Sequence, residues 1–122
     1  MQLNKESNSA QYQITKYSAS SITVNELEYN ESILVSPNLV ALWNVSNIEN
    51  LTRADFQPVI ELQPEIILLG TGENLSFPDQ AILQDIYQHK IGIEIMTTPA
   101  ACRTYAALTS ECRNVIAALV IK

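Results

Sequence analysis

The chain is poor in the residues from which most catalytic and metal centres are built. Its 122 residues include one histidine (His89), two cysteines and three glycines. One imidazole and two thiols supply too few ligands for a zinc site, so no metal and no cofactor are expected. Cys102 and Cys112 lie on a stretch that reads as helical, about 15 Å apart along the axis, beyond disulfide reach. Both are expected as free thiols. With no second histidine and no Gly-x-Ser-x-Gly turn, a hydrolase triad lacks its parts. The carboxylates are spread along the chain, and no pair stands at a spacing that argues for acid–base work.

Positive charge is scarce as well. Seven Lys and Arg face thirteen Asp and Glu, a net charge of −6. Such a surface repels phosphate backbones, which argues against nucleic acid as a partner. Long apolar runs are missing too. The longest, Val115 to Ile121, is far shorter than the roughly 20 residues a membrane-spanning helix needs. Met1 to Glu6 lack the apolar segment of a secretory signal, so a cytoplasmic location is expected. Aromatic residues make up 7% against 47% hydrophobic, so the core must be built from Ile, Leu, Val and Ala. This length suits one domain, residues 1–122, with the polar stretch 1–10 expected as a flexible tail.

Up to about Trp43 the hydrophobic period is two. Tyr12, Ile14 and Lys16 alternate with polar residues, as do Ile22 and Val24, and Ile33-Leu34-Val35 and Leu39 to Trp43 follow turn residues. These read as short strands in a hairpin or meander. The second half alternates between helix and strand. Thr52-Arg53-Ala54-Asp55 opens a helix with Phe56, Val59 and Ile60 on one face, and Pro64 ends it. The run Glu65 to Gly70 reads as a strand buried on both faces. Ser76 to Asp79 predicts a second helix with Pro78 in its first turn, and Ile82, Leu83 and Ile86 inward. Ile91 to Met96 is a further strand. Thr98, as N-cap, and Pro99 open a third helix reaching about Ser110, and Asn114 to Ile121 close the chain as a strand. The expected core is Ile66 to Leu69, Ile82, Ile86, Ile93, Ile95, Leu108 and Val115 to Val120. Strand, helix and strand joined by short links make Glu65–Gly70 and Ile91–Met96 parallel neighbours through a right-handed crossover. The fold class is α/β: a layered domain with a mixed, mostly parallel sheet, the early strands adding a hairpin or meander.

Two strand ends attract attention. Gly70-Thr71-Gly72 leaves a buried strand at its carboxyl end, where open α/β sheets bind ligands. It lacks the third glycine of a dinucleotide fingerprint and the Gly-Lys-Ser/Thr of a phosphate loop, so a tight turn is the favoured reading. Thr97-Thr98-Pro99 ends the next strand and starts a helix whose free N–H groups suit an anion. If the strands are adjacent, Gly70, Thr71, Gly72, Thr97 and Thr98 share one rim, within reach of Arg103 and near Tyr105.

The runs Ile66 to Gly72 and Gly92 to Met96, then Thr98-Pro99-Ala100-Ala101-Cys102-Arg103-Thr104-Tyr105 and Glu111-Cys112-Arg113, carry a resemblance. From about Trp43 to Ile121 the chain resembles a family of small α/β proteins of bacteria and archaea. The third assembly factor of mitochondrial respiratory complex I belongs to the same family. The resemblance implies a three-layer domain with a mixed sheet, which leaves both directions open to the last strand. For eukaryotic members it implies complex I assembly through protein contacts. The family usually has Asn where this chain has Ala106, and Gly where it has Cys112. If residue 112 is a left-handed helix stop, a residue other than Gly costs about 1 kcal/mol there.

Two readings follow. The first is a non-enzymatic interaction or assembly protein, with partners among respiratory-complex subunits or assembly proteins. The second is an enzyme or a binder of a small ligand or anion at the crevice Gly70–Gly72/Thr97–Arg103. A twofold homodimer is expected only because such dimers are the commonest oligomers.

Overall fold

In the computed structural model, which describes residues 10–121, the apolar runs of the second half lie side by side at the centre of a five-stranded sheet. In chain order the strands are β1 (Ile14–Tyr17), β2 (Ile22–Val24), β3 (Leu27–Tyr29), β4 (Ile33–Ser36) and β5 (Leu39–Leu42). After α1 (Arg53–Glu61) come β6 (Ile66–Gly70), α2 (Gln80–Gln88), β7 (Gly92–Met96), α3 (Thr98–Ser110) and β8 (Val115–Leu119). The large sheet has the order β5-β4-β8-β6-β7, and β1-β2-β3 form a second, antiparallel sheet. The early strands thus divide: the first three make the additional meander, and β4 and β5 extend the main sheet. Leu27 to Tyr29, which the hydrophobic alternation does not single out, forms β3 by a hairpin turn with Asn25 at φ 55°.

β6 pairs in parallel with both β7 and β8, with Leu68 opposite Glu94 on one side and Ala117 on the other. β4 pairs antiparallel with β8 and with β5. The sheet is mixed, and its parallel half is β8-β6-β7. The last strand is parallel to one neighbour and antiparallel to the other, at the sheet's centre rather than its edge. With cover on both faces and neighbours on both sides, all five residues of β8 are buried. This is why Val115 to Leu119 can be apolar without a break.

The crossover from β6 to β7 runs one way across the sheet, and that from β7 to β8 runs back over β6. Right-handed crossovers in opposite directions set their helices on opposite faces. On one face α1 and α2 pack through Phe56, Val59, Ile60, Ile82 and Ile86 onto Ile67, Leu69 and Ile116. On the other, α3 and the small sheet pack Tyr105, Ala101, Ile22 and Val24 onto Leu68, Ala117 and Leu119. The result is three layers. Of the expected core, Ile67 to Leu69, Ile82, Ile86 and Val115 to Val120 are buried, whereas Ile66, Ile93, Ile95 and Leu108 are half-buried. Residues 1–9 of the expected tail lie outside the described residues, and Ala10 is buried, with the Gln11 N–H donating to the Pro37 carbonyl at 2.9 Å.

Two helix starts differ from expectation. α2 begins at Gln80, because Pro78 biases the residue before it away from helix and Asp79 remains extended (φ −59°, ψ 143°). α3 takes Thr97, not Thr98, as its N-cap, and Thr98 is its first residue. α1 starts as expected: the Asp55 carboxylate accepts from the Thr52 N–H (2.9 Å) and hydroxyl (3.1 Å).

Candidate functional site at the strand ends

Thr98 holds three strand ends together. Its hydroxyl accepts from the Gly72 N–H (2.8 Å) and donates to the Val120 carbonyl (2.8 Å), and its own N–H donates to the Gly72 carbonyl (2.9 Å). Beside it the Thr71 N–H donates to the Met96 carbonyl and the Val120 N–H to the Gly70 carbonyl, each at 2.9 Å. The Thr71 hydroxyl donates to the Asn74 carbonyl at 2.7 Å. Gly70, Thr71, Gly72, Thr97 and Thr98 are therefore brought to one rim, where adjacent parallel strands send their chains to opposite faces.

That rim is closed by the protein's own groups. A Cβ on Gly70 would sit 2.9 Å from both the Cα and the Oγ1 of Thr98, so the glycine is what lets α3 approach β6. Gly72 occupies φ 98°, which an L side chain rarely adopts. Gly70-Thr71-Gly72 is thus a tight strand exit and a packing seat for α3. The first N–H of α3 is taken by Gly72, and Pro99 has none to offer.

Tyr105 is not on the rim. It is fully buried under the small sheet, and its hydroxyl donates to the Tyr12 carbonyl at 2.7 Å. Burial pushes that hydroxyl's pKa well up. The buried face of α3 consists of Thr98, Ala101, Cys102, Tyr105 and Thr109. Arg103 stands about 140° around the helix from Thr98, on the exposed side. Among the described residues the ion pairs are those of Arg113, with Glu65 (2.9 Å) and Glu111 (4.0 Å), so Arg103 has none.

Next to the rim, a hollow of about 240 Å³ is lined by Thr71, Asn74, Ser76 and Glu49 among others. No sequence motif links Asn74 to Glu49, and it is the fold that brings both to this hollow. Among the described residues no three His, Cys, Asp or Glu side chains gather to hold a metal. No disulfide joins the two cysteines; burial pushes the Cys102 thiol up to about 12, with Arg103 acting in the opposite direction. His89 sits at the end of α2 with its Nδ1 2.8 Å from the Asp85 carbonyl.

Against known proteins, residues 14–120 match the family described as "Protein of unknown function (DUF498/DUF598)". The chain belongs to this family. The solution structure of a protein from Xanthomonas campestris superimposes with a TM-score of 0.84 at 37% identity, covering 99% of this chain and 92% of that one. The bovine protein called NADH dehydrogenase (ubiquinone) 1 alpha subcomplex assembly factor 3 is 32% identical over 120 residues. The match takes in 97% of this chain but 65% of the bovine protein, which is the longer of the two. A Francisella tularensis protein called "13 kDa major membrane protein" is 29% identical over 94% of this chain and 95% of its own length. Among the described residues no helix is long and apolar enough to cross a membrane.

Proposed function

We infer that this chain is a non-enzymatic assembly protein for a respiratory NADH dehydrogenase, acting by contact with subunits or other assembly proteins at the cytoplasmic face of the membrane. The observation that carries the reading is the reach of the similarity to the bovine assembly factor. It extends over 97% of this chain at 32% identity, so what the two share is the whole domain and not an isolated motif. The proposed contact surface is the exposed side of α3 that carries Arg103, together with the half-exposed Thr97 at its start; Gly70, Thr71, Gly72 and Thr98 are buried and support it from within. Arg103, exposed and without an ion pair among the described residues, suits an acidic group on the partner.

The test is a pull-down from the native host with quantitative mass spectrometry, wild type beside Arg103→Glu. Recovery of respiratory-complex subunits or their assembly proteins, reduced in the variant, is the expected result. Recovery of neither by the wild-type chain sinks the reading. A second reading, binding of a small polar ligand, rests on the hollow bordered by Thr71, Asn74 and Glu49. Its acidic member favours a neutral or cationic ligand over an anion.

A further inference from the structure

Four strands form the edges of the two sheets among the described residues: β1, β3, β5 and β7. Three of them carry a charged side chain, Lys16, Glu28 and Glu94 respectively. Charge on an edge strand discourages pairing with another chain. β5, Leu39-Val40-Ala41-Leu42, carries none.

Its ladder with β4 fixes which backbone groups are free. The Trp43 N–H donates to the Ser32 carbonyl at 2.9 Å, just beyond the paired residues Ile33 and Leu42. Antiparallel pairs alternate, so Leu34/Ala41 and Ser36/Leu39 exchange hydrogen bonds, and Ile33/Leu42 and Val35/Val40 do not. The N–H and C=O groups of Val40 and Leu42 therefore point at the open edge.

Between β5 and α1 runs a groove of about 510 Å³. Its walls are Leu39, Ala41 and Leu42 from the strand and Pro58 and Leu62 from the helix. Leu42 is 64% exposed and Leu62 47%. The charged residues that border it, Asp55 and Glu61, are both acidic. Ala54 borders it too, and Pro58 has no N–H to give the Ala54 carbonyl, so the groove gains another acceptor. Its floor is already fixed: the Trp43 indole N–H donates to the Asp55 carbonyl at 2.8 Å, and the ring meets Phe56 edge-on at 5.5 Å.

We propose that β5 accepts one further strand from a partner protein: an extended apolar segment that lays alternate side chains into the β5–α1 groove and carries a lysine or arginine opposite Glu61. Main-chain pairing at Val40 and Leu42 supplies the attachment, and the groove selects the side chains. The partner's charge follows from a groove that offers acceptors and acids but no cation. A second copy of this chain would instead bring acidic rims together in a molecule of net charge −6. The proposal rests on the assembly reading only for the source of the strand.

The test pans a random nine-residue peptide library on the immobilised full chain. An enriched peptide is then titrated against the wild type, Val40→Pro and Glu61→Lys. The Val40 N–H makes no ladder bond, so proline there removes the outward donor and leaves the β4–β5 ladder intact, at the expense of a half-buried side chain's packing. Enriched peptides should alternate apolar residues and carry a cation. Val40→Pro and Glu61→Lys should each weaken them about tenfold, and replacing the peptide's cation by glutamate should restore binding to Glu61→Lys. If Val40→Pro lowers the melting midpoint, Leu42→Lys serves in its place. No enrichment, acidic peptides, or binding indifferent to the edge variants overturns the proposal. Light scattering that finds a dimer lost in Val40→Pro overturns it too, because a second copy is then the occupant. A respiratory protein that Val40→Pro still captures fully sinks this docking mode and leaves the assembly reading standing. Edge-dependent peptides alongside an empty pull-down support the docking mode and sink the assembly reading.

Discussion

Each helix stops at a residue in the left-handed region, and none of those residues is glycine: Gln63 (φ 52°), Lys90 (φ 62°) and Cys112 (φ 60°). At the end of α3 the Cys112 N–H donates to the Thr109 carbonyl (3.0 Å) and the Arg113 N–H to the Leu108 carbonyl (3.1 Å). This is the paired closure for which glycine is favoured. Cys112→Gly should therefore raise stability by about 1 kcal/mol, less glycine's extra entropy in the unfolded chain, and the urea midpoint reads it. A midpoint that falls would mean the cysteine side chain contributes more than its backbone strain costs. The Glu65–Arg113 pair gives a second residue-scale prediction. Hydrogen bonds from Arg113, the shortest 2.9 Å, together with its charge hold the Glu65 carboxyl below the usual carboxylate range. A carboxyl depressed by folding contributes stability above its ordinary pKa, and that contribution is lost as pH falls through the folded value. In Arg113→Ala, Glu65 should titrate in the ordinary range when followed by NMR. Identical titrations in the two proteins would refute the pairing.

Among the elements, β6 and α3 depend on one another. Thr98→Val keeps the shape of the side chain but leaves the Gly72 N–H and the Val120 carbonyl without their buried partner. Each such orphan costs roughly 1–3 kcal/mol, so a loss of several kcal/mol is expected in chemical denaturation. A loss below about 1 kcal/mol would mean the joint relaxes or admits water. Leu68→Ala, in the middle of β6 and fully buried, should cost about 2–5 kcal/mol through the cavity it leaves. An unmoved midpoint would contradict the strand's central place. Several elements were legible because their signals are local: the unbroken apolar runs of β6 and β8 and the Thr52–Asp55 start of α1. The starts of α2 and α3 were less so. Pro78 and Thr98 each fit more than one helix position, and Thr98 was settled by partners 26 and 22 residues away.

At the scale of the molecule, Tyr105 joins α3 to the segment that leads into the small sheet. Tyr105→Phe should cost about 1 kcal/mol, with amide exchange rising more in β1–β3 than in β6 and β8. A uniform rise would show that the two sheets open as one unit. The sequence by itself determined the class of the fold, the parallel β6–β7 pair, most of the core and the absence of a disulfide, because period, run length and spacing are local quantities. It also marked Gly70-Thr71-Gly72 and Thr97-Thr98 as residues that meet. Only the tertiary structure decided that β8 lies at the sheet's centre and that β4 and β5 leave the meander for the main sheet. It likewise decided that the strand-end rim closes on itself, that Tyr105 turns inward, and that β5 is the uncharged open edge. Those outcomes depend on which strands become neighbours, and pairing between distant segments is written in no single stretch of the chain.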